Sequence, residues 1–206
     1  MSKETKNLWE IEQGYWNQGI APIAGVDEAG RGPLAGPVCA AAVILPPNLV
    51  IDGLDDSKKL SEARREALYD IICAEALCYG VALVDEQTID RVIILQATFL
   101  AMRQAVAKLE QEPSLVLVDG NQDPKLGLPT CTVVKGDSLS ANIAAASILA
   151  KVTRDRLMVE LDEKYPQYGF AAHKGYGTRA HYAALDAYGP CPIHRRTFLK
   201  KRYGTK

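Results

Sequence analysis

The sequence predicts an α/β fold built on one sheet of about five strands. Short apolar runs, typical of buried strands, alternate with longer stretches whose apolar residues recur every three or four positions, as in helices. Three strand-like runs come early and two come late, and the helical stretches between them favour a sheet covered by helices. With 206 residues, 48% of them hydrophobic, the chain is long enough for one domain with a proper core.

The first half of the chain is expected to supply three strands and two helices. Three apolar runs predict the strands: Ile23–Val26, Val38–Leu45 and Leu77–Val84. An N-terminal helix precedes them, because apolar residues fall at helical spacing at Leu8, Ile11 and Tyr15. Between the second and third strands, Ser61 is placed to cap a helix. The apolar face of that helix is expected to comprise Ala67, Leu68, Ile71 and Ile72.

The second half is expected to supply two more strands and two longer helices. A step of four residues predicts one helix, through Ile93, Ala97, Ala101, Ala105 and Leu109. Compact apolar runs then predict strands at Leu115–Val118 and Cys131–Val134. The longest helix follows, and one of its faces is expected to carry Ala146, Ala150, Thr153, Leu157 and Leu161. Its alanine-rich first half suits close packing on a sheet.

The net charge of the chain and the distribution of its basic residues limit how it could bind a polyanion. A net charge of −1 argues against a protein that binds polyanions through bulk charge. However, no acid follows Asp186, whereas six basic residues do: Arg195, Arg196, Lys200, Lys201, Arg202 and Lys206. This basic C-terminal run is either a local nucleic-acid-binding surface or a solvated tail, and the sequence leaves both interpretations open.

The cysteines and the chain start indicate a cytoplasmic protein. Five cysteines, with no C-x-x-C pair, indicate buried thiols in a reducing compartment: Cys39, Cys73, Cys78, Cys131 and Cys191. The three histidines show no metal-ligand spacing. No apolar segment follows Met1–Lys6, so no signal peptide is expected, and the longest apolar run, Val38–Leu45, is too short to cross a bilayer.

Acidic residues follow three of the predicted strands. Asp27 and Glu28 come directly after the first strand, Asp119 follows the fourth, and Asp137 follows the fifth. Ligands in α/β sheets bind outside the carboxyl ends of parallel strands, so these acids are expected to converge. Carboxylate oxygens favour Mg²⁺ or Mn²⁺ over zinc, and a pair of such ions can promote hydrolysis of a phosphodiester. The alternatives are that Asp119 starts an Asx turn and that Asp137 caps the long helix.

Asp27 and Glu28 present a geometric difficulty. Neighbours on a regular strand point to opposite faces, so both carboxylates can reach one point only if the strand ends or bulges there. Glu28 is therefore expected to contribute differently, at a second metal ion or through its carbonyl group.

A glycine–arginine loop, Gly30-Arg31-Gly32, comes directly after these acids. Its glycines let the backbone approach a ligand closely. The spacing to Gly36 does not match the G-x-G-x-x-G pattern of dinucleotide-binding loops, and the two acids would repel a pyrophosphate. The remaining alternative is a glycine-rich turn beside two solvated acids.

Six segments together closely resemble bacterial ribonuclease HII, in residues and in order. They are Gly25–Gly32, Asp56–Ser61, Asp119–Asn121, Lys135–Asp137, Ala145–Asp155 and His173–Thr178. The resemblance runs from about residue 8 to residue 196. It implies a ribonuclease H-like fold, with a mixed five-stranded sheet flanked by helices, in a single domain over residues 1–206. Within that domain, residues from about 171 to 206 would form a small helical C-terminal extension.

The resemblance also implies an activity. It is that of a divalent-metal endonuclease, acting on RNA in RNA–DNA hybrids and 5′ of single ribonucleotides in duplex DNA, which leaves 3′-hydroxyl and 5′-phosphate ends. Mg²⁺ or Mn²⁺ is the implied cofactor, with two ions when substrate is bound. A monomer that binds nucleic acid and no membrane is expected.

The family's functional residues map onto this sequence one by one. The four acids of the metal site fall on Asp27, Glu28, Asp119 and Asp137. The substrate contacts fall on Gly30, Arg31, Gly32, Lys58, Lys59 and Tyr176. Of these, the glycine–arginine loop is implied to contact the ribose 2′-hydroxyl, which distinguishes RNA from DNA. Tyr176 is implied to pack on the deoxyribose on the 3′ side, and the lysines are implied to contact phosphates.

The sequence departs from the family pattern in the turn that carries Tyr176, and one subtype of the enzyme does not fit its length. Gly177 stands where many relatives have proline, which puts the rigidity of the Tyr176 turn in doubt. The sister enzyme ribonuclease HIII carries a further N-terminal domain, for which the 26 residues before Asp27 leave no room.

Two other functions compete with this assignment. They are a non-catalytic nucleic-acid-binding module and a related nuclease with another substrate.

Overall fold

A computed structural model describes residues 7–204 of the chain. The five strands are β1 (Ile23–Ala29), β2 (Val38–Ile44), β3 (Cys78–Val84), β4 (Leu115–Asp119) and β5 (Thr130–Val133). The seven helices described are α1 (Glu10–Trp16), α2 (Glu62–Glu75), α3 (Glu86–Val106), α4 (Ala141–Lys164), α5 (Phe170–His173), α6 (Arg179–Tyr188) and α7 (Arg196–Tyr203). The prediction for Met1–Lys6, residue Lys206 and the side chain of Lys201 lie outside the described part.

The five strands form one mixed sheet in the order β3-β2-β1-β4-β5. The first three strands pair antiparallel, whereas β1, β4 and β5 run parallel. This arrangement confirms the predicted mixed sheet. It also places the carboxyl ends of β1, β4 and β5 side by side at one edge of the sheet, where the predicted acids lie.

The two faces of the sheet are covered by different helices. On one face, Val26 and its even-numbered neighbours pack with Val116 and Val118 against buried residues of α3. On the other face, Ile23, Leu115 and Leu117 pack against Ile143 of α4. Because side chains alternate along a strand, odd-numbered residues of β1 and β4 face α4. Asp27 and Asp119 are both odd-numbered and belong to this face.

Close packing of α4 on β1 depends on Gly25. A Cβ atom at this position would lie 2.2 Å from the backbone carbon of Asn142 and 2.2 Å from the backbone nitrogen of Ile143. Neither backbone atom can move aside without shifting the helix, so only glycine permits this distance between β1 and α4.

The predicted helices α2 and α3 form, with corrections to their faces. Ser61 caps α2, since its side chain accepts a hydrogen bond from the Arg64 amide, as predicted. The predicted apolar face of α2 is wrong in part, because Ile71 and Ala67 are exposed. In α3, Ile93 has a non-helical backbone (φ 65°, ψ 155°) and is 62% exposed, so the helix is kinked there. Leu109 lies beyond the end of α3.

The long helix α4 confirms the prediction of an alanine-rich packing face. Ala146 and Ala150 are fully buried. The side chain of Ser140 accepts a hydrogen bond from the Ile143 amide and so caps the helix. Asp137 lies in a single 3₁₀ turn before it (Gly136–Ser138), so the interpretation of Asp137 as the helix cap is wrong.

The interpretation of the basic C-terminal run as a solvated tail is wrong for its first member. Arg195 is fully buried and donates hydrogen bonds to three backbone carbonyl groups. Arg196, Lys200 and Arg202 are exposed, and Arg202 pairs with Asp186 at 2.8 Å. The run is therefore divided between a buried structural cation and surface charges.

Two further predictions concern the thiols and the membrane. All five cysteines are free, as expected, but the prediction of buried thiols is wrong for Cys73 and Cys131, which are only partly buried. Within residues 7–204, no helix has both the length and the apolar character that crossing a bilayer requires.

Candidate functional site

Three carboxylates from three segments meet at the edge of the sheet. Asp27 lies near the end of β1, Asp119 is the last residue of β4, and Asp137 lies in the turn after β5. One oxygen of each side chain lies within 4.8 Å of an oxygen of the other two. Within the described part of the chain, no other group of three His, Cys, Asp or Glu side chains is spaced to hold a metal ion. The predicted convergence of these three acids is confirmed.

The carboxylate of Asp119 also holds the turn that carries Asp137. Its Oδ1 accepts a hydrogen bond of 2.7 Å from the amide of Gly136, so the side chain spans from β4 to the turn after β5. A Cβ atom on Gly136 would lie 2.5 Å from Cδ1 of Ile143, so glycine lets this turn approach α4. The hydrogen bond to Gly136 replaces the Asx turn that was the alternative interpretation of Asp119.

Burial and like charge raise the pKa values of these acids. The pKa of Asp27 lies well above its usual range, first because the side chain is desolvated and then because Glu28 and Asp119 repel its charge. A hydrogen bond of 2.7 Å from the Glu28 amide to Asp27 Oδ1 offsets part of this effect. The pKa of Asp137 is also raised, first by burial and then by Asp119 and Asp56.

A positive charge lies beside this group. Lys58 Nζ is 3.6 Å from Asp137 Oδ2, although most of the lysine side chain is exposed. Burial would lower the pKa of Lys58, but the charges of Asp27 and Asp137 outweigh burial and raise it. The Lys59 ammonium instead donates to Asp55 at 3.0 Å and to Ser138 at 2.8 Å. The predicted lysine segment therefore lies at the site, and the two lysines have different partners.

Three further polar residues lie at this site, and local sequence patterns did not assign them a role. Ser147 of α4 hydrogen-bonds to Asp27 and lies 2.7 Å, Oγ to Oγ, from Ser57. The Asp56 side chain accepts from the amide of Lys58 at 2.9 Å. A serine within an otherwise apolar helix face is the signal that could have identified Ser147. Asp56 and Ser57 belong to a quoted motif but were given no role.

Glu28 does not join the other three acids. The pairing of β1 with β2 continues through Glu28 and Ala29, so the strand neither ends nor bulges at Asp27, contrary to the prediction. Strand alternation directs Glu28 away from the face that bears Asp27. The Glu28 carboxylate lies 3.4 Å from Arg31 and remains close enough to Asp119 to be repelled by it. Burial is the main reason that the pKa of Glu28 is raised.

Two buried arginines hold the glycine–arginine loop. Arg195 donates hydrogen bonds to the carbonyl groups of Gly30 (2.6 Å) and Arg31 (3.0 Å). Gly30 has φ 93°, and a Cβ atom there would lie 2.1 Å from Nε of Arg154. Arg154 donates to the carbonyl group of Lys174 at 2.9 Å, which joins this loop region to the turn that contains Tyr176.

Tyr176 lies next to the glycine–arginine loop. A Cβ atom on Gly32 would be 3.6 Å from Cε1 of the tyrosine ring, so the ring and Gly32 are in van der Waals proximity. The Tyr176 side chain is 44% exposed, and Arg31 and Gly32 are exposed as well. Arg31, Gly32 and Tyr176 thus form one accessible surface beside the acids, whereas Gly30, also a predicted substrate contact, is buried.

The three acids suit a divalent cation. Each offers an oxygen atom, which is the donor that Mg²⁺ and Mn²⁺ prefer. Three negative charges within 4.8 Å of one another also need a counter-charge to remain ionised, and the raised pKa of Asp27 reflects that need. A hard divalent cation therefore fits the residues present.

Comparisons with known proteins point to one family. A family model described as Ribonuclease HII matches residues 24–206. A protein named Ribonuclease HII from Geobacter sp. (strain M21) is 56% identical over 196 residues, which cover 95% of this chain and 85% of that protein. The crystal structure of the ribonuclease H2 from Pyrococcus horikoshii OT3 has a TM-score of 0.74 and 29% identity, covering 89% of this chain and 99% of that chain.

A further structure supports the fold alone. Bst-RNase HIII in complex with Mn²⁺ has a TM-score of 0.64 and 18% identity, and the match covers 81% of this chain and 62% of that chain.

Proposed function

This chain belongs to the ribonuclease HII family, and we propose that it incises duplexes on the 5′ side of ribonucleotides embedded in DNA. Membership confirms the predicted resemblance and the ribonuclease H-like fold, and it makes the protein an endoribonuclease of the ribonuclease H class. The observation that carries the finer proposal is the convergence of Asp27, Asp119 and Asp137 within 4.8 Å beside the glycine–arginine loop.

Asp27, Asp119 and Asp137 would hold the divalent ion, and Glu28 would contribute at a second one. Two ions held by these residues would supply a bound water of lowered pKa and positive charge for the leaving oxygen of a phosphodiester. The family is metal-dependent, and we propose Mg²⁺ or Mn²⁺ as the cofactor of this chain. Asp119 would also keep Asp137 in position, through its hydrogen bond to the Gly136 amide.

The substrate would lie over the accessible surface beside the acids. Gly32 has no side chain between the backbone and the ligand, so the loop can approach a ribose 2′-hydroxyl. The exposed ring of Tyr176 next to it would pack on the sugar that follows. Lys58 and Lys59 would contact phosphates and so position the duplex without reading its sequence.

A binding module without catalysis fits the site less well. Clustered carboxylates repel phosphate groups unless cations neutralise them, so a module that only binds nucleic acid gains nothing from Asp27, Asp119 and Asp137.

The proposed endonuclease activity includes cleavage of RNA in RNA–DNA hybrids, and its products carry 3′-hydroxyl and 5′-phosphate ends. We also propose a cytoplasmic monomer, in which residues from about 171 to 206 extend a single catalytic domain.

The test is a cleavage assay on a DNA duplex that contains one ribonucleotide. All-DNA and all-RNA duplexes serve as controls, each with Mg²⁺ and with excess chelator. We expect one incision 5′ of the ribonucleotide, only with metal. Asp27→Asn should abolish cleavage while duplex binding persists, and Asp123→Asn is the matched control, because Asp123 is paired with Lys125 outside the site. Full activity in chelator, or with Asp27→Asn, would contradict the proposal.

A further inference from the structure

The three histidines of the chain cluster behind the Tyr176 turn, and His173 is the partly exposed member. His181 lies in α6 and His194 precedes α7, and both are almost completely buried. His173 stacks on His181 with ring centroids 4.5 Å apart. The rings of Tyr168 and Phe170 pack against the same cluster, so water has little access to the imidazoles. None of these groups lies among the acids of the metal site.

Backbone partners determine which nitrogen of each imidazole carries the proton. The Cys191 amide lies 3.0 Å from His194 Nδ1 and can only donate, so Nδ1 accepts and the hydrogen of a neutral His194 is on Nε2. His194 Nε2 lies 3.0 Å from His181 Nε2, which must therefore accept. The remaining nitrogen, His181 Nδ1, then donates to the carbonyl oxygen of Tyr176 at 2.9 Å. The chain of hydrogen bonds runs in one direction, from Cys191 to Tyr176.

Each end of this chain is attached to a substrate-contact segment. At one end it holds the carbonyl group of Tyr176. At the other end, His194 pairs in a β-bridge with Ala35, and the adjacent Arg195 holds the carbonyl groups of the glycine–arginine loop. The hydrogen bond between the two imidazoles therefore connects the Tyr176 turn to the residues that support the glycine–arginine loop.

We propose that the His181–His194 hydrogen bond is a positioning link that sets the spacing between Tyr176 and the glycine–arginine loop. Through this spacing it determines how well the protein distinguishes a ribonucleotide–deoxyribonucleotide junction from a uniform hybrid. The inference rests on the proposed function, because it concerns the two segments that would contact the sugars of the junction. Both histidines act through Tyr176 and are not themselves catalytic.

The link requires both imidazoles to be neutral. A second proton on His194 would face the donating amide of Cys191, and a second proton on His181 would face the donating Nε2 of His194. Burial lowers the pKa of His181, and burial together with the charge of His181 lowers that of His194 to about 4. The other ionisable groups that face the pair are His173, the thiol of Cys191, the phenol of Tyr168 and the guanidinium of Arg196, and Glu86 acts on Cys191.

The first test measures the tautomers directly. Nitrogen NMR of the full-length protein at pH 7 should show Nδ1–H for His181 and Nε2–H for His194, both neutral. This readout needs neither metal nor substrate, so it does not depend on the proposed function. An Nε2–H tautomer for His181, or a charged imidazole in either residue at pH 7, would overturn the link.

The second test measures discrimination. It is the ratio of kcat/KM for the single-ribonucleotide duplex to kcat/KM for a uniform RNA–DNA hybrid. His181→Phe and His194→Phe should each lower this ratio by about tenfold, because each removes the buried hydrogen bond between His181 and His194. The double variant should lower it by no more than either single variant, because both act through one chain. His181→Asn keeps a donor for the Tyr176 carbonyl group but has no atom at the Nε2 position, so it should lower the ratio about as much as His181→Phe does.

Controls separate a positioning role from a structural one. Tyr188→Phe, an exposed position on the same helix as His181, should leave the ratio unchanged. An unchanged ratio in any folded histidine variant, His181→Asn included, or an additive double variant would overturn the inference. If the phenylalanine variants do not fold, the tautomers and His181→Asn, whose ratio should fall about tenfold, decide it. A wild-type protein with no preference for the junction would instead overturn the proposed function along with the link.

Discussion

Replacing Asp27 by asparagine should stabilise the metal-free protein. The three carboxylate oxygens lie within 4.8 Å of one another, so each ionised pair costs about 3.5 kcal/mol at an effective dielectric constant of about 20. The raised pKa of Asp27 indicates that the folded protein takes up a proton to avoid part of this cost. Stability from a carboxyl group with a raised pKa is present below its unfolded-state pKa and is lost as the pH rises through the folded-state value. At pH 7, above the unfolded-state pKa, this carboxyl group therefore opposes folding.

The expected gain in the free energy of unfolding depends on the charge that asparagine removes and on the hydrogen bond that it keeps. Asparagine keeps the side-chain oxygen that accepts the 2.7 Å hydrogen bond from the Glu28 amide but removes the charge. Since proton uptake limits the repulsion in the wild type, we expect Asp27→Asn to raise the free energy of unfolding by about 1–3 kcal/mol in chelator. For a domain of this size, each kcal/mol corresponds to about 2–4 °C in the melting temperature.

Mg²⁺ should narrow this difference in stability, and it should reverse the order if the gain in chelator lies at the lower end of the expected range. At an Mg²⁺ concentration about 100 times its Kd, the wild type gains about 2.7 kcal/mol, whereas the variant has lost a ligand and gains much less. The assay is thermal and urea denaturation of both proteins in chelator and in Mg²⁺, with Asp123→Asn as the control. A variant less stable than the wild type in chelator by 1 kcal/mol or more, or equally stabilised by Mg²⁺, would refute the electrostatic reasoning.

Three further predictions concern the sugar-contact surface, the packing of the long helix and the pH dependence of metal binding. Tyr176→Ala should weaken the preference for the junction more than it weakens affinity for all-DNA duplex, whereas Tyr188→Ala should change neither; equal losses on both duplexes would argue against the role of the ring. Gly25→Ala should lower the free energy of unfolding by about 3 kcal/mol or more, because its methyl group would overlap the backbone at Asn142; a urea denaturation curve like that of the wild type would show that α4 can shift freely. Mg²⁺ affinity, measured by calorimetry, should fall as the pH is lowered from 8 towards 5, because raised pKa values mean that binding displaces protons; a flat profile would contradict that coupling.

Most of the metal site could be predicted from local patterns. Asp119 and Asp137 were identifiable because each follows an apolar strand, and parallel strands bring their carboxyl ends to one edge of a sheet. Ser147 has only one local signal, its position in an otherwise apolar helix face, and its role depends on α4 lying against β1, which the backbone contact at Gly25 decides in the tertiary structure. Glu28 illustrates a third case, in which the geometric difficulty was recognised and the predicted bulge was wrong, since the β1 pairing remains regular.

Two further predictions were wrong because a pattern along the chain does not show where a helix bends or which side chain becomes buried. Ile93 fits the helical spacing but lies exposed at a kink, because periodicity does not register a change in helix direction. Arg195 was assigned to a charged surface run, because composition does not show which cation has buried carbonyl groups to bind.

The amino-acid sequence by itself determined the order of strands and helices, the acids that end three strands and the family, because these depend on short-range patterns that survive in one dimension. Tertiary structure decided which groups interact: the separation of Glu28 from the three acids, the burial of Arg195 and the bond between His181 and His194. Such contacts join residues far apart in the chain, such as Arg195 and Gly30, and they depend on distances of a few ångströms. No spacing along a sequence encodes distances of that kind.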